Sequence, residues 1–300
     1  MTQLYGTLPN QVPTNADLGT MAFQDALAFR QTTQTPMTFA SLPLPNTVPQ
    51  WTQYFISDVG THGSTWISDG TAWQLVGGVA NLFQNTLPMG VPSSGTITVT
   101  TGALTLVTAL DNIYPSIYMW FPAGAWTGST AGMYYVAMTS TTVGTVYSNQ
   151  YTGGVATIPI SPTLVTTGAG AYVQTTGVYN AVLSYAMQAG VMGATGELTA
   201  KFTFSANNSA GLKYLDPMFS LIGASGSISL STGLASTKSF TMTNVSASKQ
   251  VAVVGADNSN GAINFATSNT SVSFSLTPKA YLAVATDWII LQSYQIQLSR

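Results

Sequence analysis

Residues 131–151 read AGMYYVAMTSTTVGTVYSNQY. Two runs rich in aromatic and β-branched residues, 133–139 and 144–148, flank a Ser-Thr-Thr turn region. Runs of this length bounded by small polar residues read as strands. The same style extends in both directions. Upstream, 96–101 (TITVTT) and 104–110 (LTLVTAL) alternate, and 116–121 (SIYMWF) is dense enough to be buried on both faces. Downstream come 178–187 (VYNAVLSYAM), 198–205 (LTAKFTFS), 228–230, 239–243, 250–254, 272–276 and 288–298 (WIILQSYQIQL). Asn260-Gly261 adds a hairpin signal. About ten short strands without a convincing long helix predict a mainly β chain with an antiparallel, jelly-roll-like β-sandwich body. Thr and Ser on the alternate positions suit a sheet with one wet face.

Ahead of the body lies 54–78, YFISDVGTHGSTWISDGTAWQLVGG. Three short apolar runs are separated by Asp58-Val59-Gly60, His62-Gly63-Ser64 and Asp69-Gly70. The pattern predicts a small Trp-containing β module, with a type I′ turn at Asp69-Gly70. Trp66 and Trp73 read as its miniature core, Asp58 and Asp69 as acceptors for turn N–H groups, and His62 as a turn-flanking residue. Residues 1–45 read as an extended arm, since Pro9, Pro13, Pro36, Pro43 and Pro45 keep most of it open. A short helix is expected over 20–29, and 43–49 (PLPNTVP) reads as a stiff linker. Pro88 to Ser94 (PMGVPSS) reads as a second break. The expected organisation is an arm (1–45), a collar-like module (46–87) and a β-sandwich body (88–300).

Charge decides which functions are open to the chain. Charged residues make up 5% of the 300, against about a quarter in ordinary globular proteins. With 14 Tyr, 12 Phe and 6 Trp the chain is too aromatic to be disordered. From position 31 to 200 it has neither Lys nor Arg. A lone soluble monomer covers itself with charge, whereas interface cores are depleted in it. The composition therefore points to an oligomer. A net charge of −2 with scattered lysines offers no stripe for phosphates, so nucleic acid is not an expected partner. Zero cysteines remove disulfides and thiolate chemistry, which costs nothing in a reducing cytosol. Residues 1–30 lack the basic start and apolar core of a signal peptide, and the apolar run 281–291 is short and cut by Asp287, so membrane insertion is not expected.

Catalysts are scarce. The body's acids are Asp111, Glu197, Asp216, Asp257 and Asp287, with no evident pair of the kind glycoside hydrolysis requires. A Ser-His-Asp triad would have to use His62, and no Gly-x-Ser-x-Gly elbow is present. A metal site from Asp58, His62 and Asp69 would match no standard spacing. No enzyme, metal or cofactor is expected. Neutral saccharides, by contrast, are held by aromatic faces and hydroxyl or amide groups. Trp126, Tyr151 and Tyr172 are candidate contacts, with a place in the core or a subunit interface as the alternative.

Four patches carry a resemblance. Ser57, Asp58, Val59, Gly60, Gly63, Ser64, Trp66, Ser68, Asp69, Gly70, Thr71 and Trp73 resemble a small module of tailed-phage fibre and virion-surface proteins. Ala131, Gly132, Tyr134, Tyr135, Val136, Met138, Ser140, Thr141, Thr142, Gly144, Thr145, Val146, Tyr147, Asn149 and Tyr151 resemble a segment of β-sandwich virion proteins. Asp287, Leu291, Ser293, Tyr294, Ile296 and Leu298 resemble that family's terminal strand. Residues 12–26 (VPTNADLGTMAFQDA) resemble a particle-proximal segment. The resemblance implies a structural virion protein, a homotrimeric tail fibre, assembled in the host cytoplasm and carried on the tail. Val12, Pro13, Asp17, Leu18, Gly19, Met21 and Phe23 would attach it to other virion proteins, and the body would meet a host-surface glycan. A capsid decoration protein or head fibre is the alternative, and a tailspike depolymerase a third.

Overall fold

The computed structural model describes residues 36–92, 94–98, 102–153, 156–166, 170–174, 176–216, 228–229, 236–256 and 259–300. The expected helix over 20–29 lies outside them. The chain forms two compact units, divided after Gly78. Helix among the described residues is confined to two 3-10 turns, Phe39–Ser41 and Pro45–Thr47, so the protein is mainly β. No helix among them is long and apolar enough to cross a membrane.

The first unit is built on an antiparallel meander, β1 (Gln53–Ile56), β2 (Ser64–Ser68) and β3 (Trp73–Leu75). Trp66 is fully buried against Phe39, with ring centroids 5.0 Å apart, and Trp73 packs edge-on against Tyr54 at 5.5 Å. Each indole N–H is satisfied: Trp66 Nε1 donates to Ser64 Oγ (2.9 Å) and Trp73 Nε1 to the Pro43 carbonyl (2.9 Å). Buried Ser68 likewise donates to the Pro45 carbonyl. Residues 43–49 are therefore not a free linker. Their carbonyls, freed from any ladder by proline, cap the module's buried donors.

The second unit begins with β4 (Val79–Gln84), β5 (Met89–Val91), β6 (Ser94–Thr98), β7 (Ala103–Leu106) and β8 (Ile117–Phe121). It continues with β9 (Gly132–Met138), β10 (Val143–Gln150), β11 (Gly170–Val173), β12 (Tyr179–Ala181) and β13 (Tyr185–Met187). Then follow β14 (Glu197–Ala206), β15 (Lys213–Asp216), β16 (Ile228–Ser229), β17 (Ser236–Ser246) and β18 (Lys249–Ala256). The chain closes on β19 (Ser259–Ala266), β20 (Phe274–Leu276), β21 (Lys279–Leu282) and β22 (Ile289–Ser299). The main sheet runs β11-β6-β7-β10-β9-β8-β5-β22-β14-β17-β18-β19, with β4 also on β22. Its pairings are antiparallel except β5 with β8. Smaller sheets, β12-β21-β15-β16 and β13-β20, complete a sandwich-like body.

Strand β22 organises this sheet. One edge takes β14 along its length, while the other takes β5 near its start and β4 near its end. Alternation is clean: Leu198, Ala200 and Phe202 are buried opposite Leu298, Ile296 and Tyr294, with Met242 and Phe240 of β17 continuing the first two rows. Such cross-strand pairs add about 0.2–1 kcal/mol each. At Gln292 the β14–β22 register slips by one residue, a bulge. Strands β8 and β9 are buried on both faces over most of their length, Trp120 remaining half-buried. Ile117, Met119, Phe121, Tyr134, Val136 and Met138 join one core cluster. On the alternate positions an aromatic row runs Tyr147–Tyr135–Tyr118–Tyr151, each neighbour 5.2–6.0 Å apart.

Three local expectations are corrected. The break at 88–94 holds β5, which lies inside the main sheet. Its two prolines sit at the strand's ends, where no ladder N–H is needed, and the unit boundary falls after Gly78 instead. The run 178–187 is two strands in different sheets, because Val182 and Leu183 are buried in succession and interrupt the alternation. Asn260 and Gly261 lie within β19, past its first pair with β18, Ala256↔Ser259, so they are strand residues and not the centre of a turn.

Candidate functional site

The attachment residues Val12, Pro13, Asp17, Leu18, Gly19, Met21 and Phe23 lie outside the described residues, as does Asp257. The remaining sequence candidates divide between the two units.

In the module, Asp58 and Asp69 are acceptors. Asp58 Oδ1 takes the Phe39 N–H at 2.7 Å, which pins the segment before β1 to the loop after it. Asp69 Oδ1 takes the Thr71 N–H, the Thr71 hydroxyl and the Ala72 N–H at 2.7–2.8 Å, and Oδ2 takes Gln74 Nε2 at 2.8 Å. These bonds, Gln74's first, pull the Asp69 carboxyl far below its ordinary range. The type I′ turn is not formed: of the two, only Gly70 has positive φ, and the loop is the four residues 69–72. Four acceptor bonds on Asp69 hold that wider loop. His62 is exposed, and no group of three metal-ligating side chains occurs among the described residues.

In the body, two of the three loop aromatics are core. Trp126 and Tyr172 are buried edge-on against Phe121, 5.6 and 5.1 Å away. Burial raises the Tyr172 phenol, whose hydroxyl has no hydrogen-bond partner. Tyr151 is half-buried and lines a groove of about 300 Å³ with Trp120, Thr152, Leu183 and Ser184. The groove follows from the pleat: Trp120 and its cross-strand partner Met133 stand on the face opposite the core cluster. Half-buried rings beside hydroxyls are the chemistry that holds a neutral saccharide. Trp120 was not singled out in sequence, because a strand run shows alternation but not which face stays open.

Three of the body's acids, Asp111, Glu197 and Asp287, are engaged in structure. Asp111 Oδ1 accepts from Tyr114 and its Oδ2 from Gln292. Gln292, brought there by the bulge, also donates to Ser205 Oγ and Tyr114 Oη. Burial, with the Asp111 charge adding to it, pushes the Tyr114 phenol up to about 12. Glu197 accepts from the Thr199 and Thr243 hydroxyls. Asp287 is fully buried, beside an equally buried lysine, Lys213. The sequence shows Asp287 as one of the body's acids, as an interruption of an apolar run and as the first residue of the terminal-strand resemblance, but not as half of a pair. Its pairing with a residue this distant leaves no local signal.

No family model matches the chain, and no curated protein matches it. Among solved structures, β-fructofuranosidase from Schwanniomyces occidentalis complexed with fructosyl-erythritol aligns over 79% of this chain at 10% identity and a TM-score of 0.20. The fructofuranosidase from the same organism complexed with fructose aligns over the same share at 9% identity and 0.20. The chain spans 65% of the length of each. Likeness at this level carries no argument about fold or function.

Proposed function

We propose that this chain is a non-enzymatic structural protein of a tailed-phage particle, a homotrimeric tail fibre that docks through its N-terminal arm and presents its β body to the host surface. The observation that supports self-assembly is the pair of unguarded sheet edges. The main sheet ends on β11 and β19, and among the described residues nothing pairs with the outer side of either. Sheet edges are ordinarily blunted by Lys, Pro or a covering element. Neither strand holds a charged residue or a proline. Each instead shows an apolar side chain to solvent: Val173 is 60% exposed and Phe265 79%. Edges of this kind are covered by other copies of the chain, which accounts for a surface so poor in charge. The virion and the trimer come from the sequence resemblance. The groove at Trp120 and Tyr151 is where a neutral host glycan fits.

Mass in solution is the test. The reading expects three subunits at micromolar concentration, and a monomer there overturns it. Copy number per particle then separates tail from shell. A low number fits the fibre, and a number near that of the shell subunits replaces it with a capsid decoration protein.

A further inference from the structure

An ion pair lies wholly inside the protein: Lys213 Nζ is 3.6 Å from Asp287 Oδ2, and neither side chain reaches solvent. Ser209 stands between the two. Lys213 Nζ donates to Ser209 Oγ at 2.8 Å, and Ser209 Oγ donates to Asp287 Oδ1 at 2.5 Å. Asn207 Nδ2 donates to the same carboxylate oxygen at 3.0 Å. The carbonyls of Ser209 and Gly211 accept from Nζ at 3.5 and 3.2 Å and hold the amine in place. Oδ2 has no hydrogen-bond partner. The close approach depends on Gly211, where a Cβ would collide with Oδ2.

We propose that Lys213 and Asp287 are joined by an intramolecular isopeptide bond. Transfer of one proton from the ammonium to the carboxylate leaves a neutral amine facing a carboxylic acid. It also removes two charges from a site closed to solvent, where ions are costly. The Nζ lone pair then adds to Cγ, and the Cγ–Oδ1 bond breaks. Oδ1 leaves as water, carrying the carboxyl proton and a proton relayed from Nζ through Ser209 Oγ. Oδ2 becomes the amide oxygen. One C–N bond forms, one C–O bond breaks and one water is released, with no oxidant or cofactor. Groups held in contact react as though present at an effective ~10⁵–10⁸ M, which drives condensation against water.

The bond would tie the start of β15, in the small sheet, to the residue two before β22, the central strand of the main one. Closing so long a loop constrains the unfolded chain as a disulfide does, and this chain has no cysteine. The inference stands on this geometry and does not depend on the virion reading.

Intact-mass spectrometry of the purified full-length chain, denatured after folding, tests it. The expected mass is one water below that of the sequence. Trypsin should fail to cleave after Lys213 and release a branched peptide joining that segment to the one holding Asp287. Lys213→Met and Asp287→Ala should each restore the full mass, and Ser209→Ala should slow the loss of water in a time course. An unmodified mass in the folded wild-type protein overturns the proposal. So does a deficit that persists in Lys213→Met, which would mark a cyclic imide elsewhere. Should the variants fail to fold, the wild-type digest still decides: a linear peptide ending at Lys213 refutes the bond.

Discussion

Asp69 uses one carboxylate oxygen on its own loop and the other on Gln74 of β3. Its folded-state carboxyl is depressed, so its contribution is present above the unfolded value and is lost as pH falls through the folded one. Acid should therefore weaken the Trp module progressively, from the ordinary carboxylate range downward. Asp69→Asn should lower the module's thermal midpoint at neutral pH and remove that acid-dependent step, read by tryptophan fluorescence. Tyr114 gives the opposite sign. Its folded value is raised to about 12, so the stability it lends is full below its ordinary pKa of 10.0 and is lost as pH climbs through the folded value. Alkaline titration followed by phenolate absorbance should show part of the tyrosines ionising only as the body unfolds. Tyr114→Phe should reduce that delayed fraction. The sequence showed Asp69 as an acceptor because Asp-Gly chemistry is local. The wider loop depends on Gln74 reaching back, which a dipeptide rule does not see.

Strand β5 marks the limit of pattern reading at the scale of elements. Met89, Gly90 and Val91 are all buried between β8 and β22, yet three residues between two prolines show no period. Long alternating elements were legible: β14 and β22 carry their burial in their sequence. The short strands β5, β11 and β15 were not, because their pairing is dictated by neighbours distant in the chain. The candidate site divides the same way. Trp66 and Trp73 announced a core, while the Lys213–Asp287 contact and the open face at Trp120 arise only when distant strands meet. Gly90 tests whether β5 sits where described. A Cβ there would lie 3.0 Å from Ile290 Cγ1 and 3.3 Å from the Ile289 carbonyl, backbone that cannot yield cheaply. Gly90→Val should cost about 1–3 kcal/mol by overpacking. Urea unfolding should show a lower midpoint at an unchanged slope.

For the molecule as a whole, the two ends of the main sheet set the problem. A sheet of this length closed on itself would have no edges, but among the described residues the strand order stops at β11 and β19. Fully polar edges would be harmless in water, whereas Phe265 on β19 stands 79% exposed on a strand without a charge. A subunit left alone with such an edge is an aggregation template. The same edge inside a closed ring of copies is buried and saturated. Phe265→Lys discriminates between these states. The side chain is exposed in the single subunit, so its replacement should leave circular dichroism unchanged. In an assembly that covers β19, each copy would bury an unpaired ammonium, which is strongly unfavourable. If the proposed trimer forms through β19, sedimentation should then show three subunits for the wild-type chain and single subunits for the variant. An unaltered trimer in Phe265→Lys would place the subunit contact away from β19 and leave the edge at β11, with Val173, as the surface to test next.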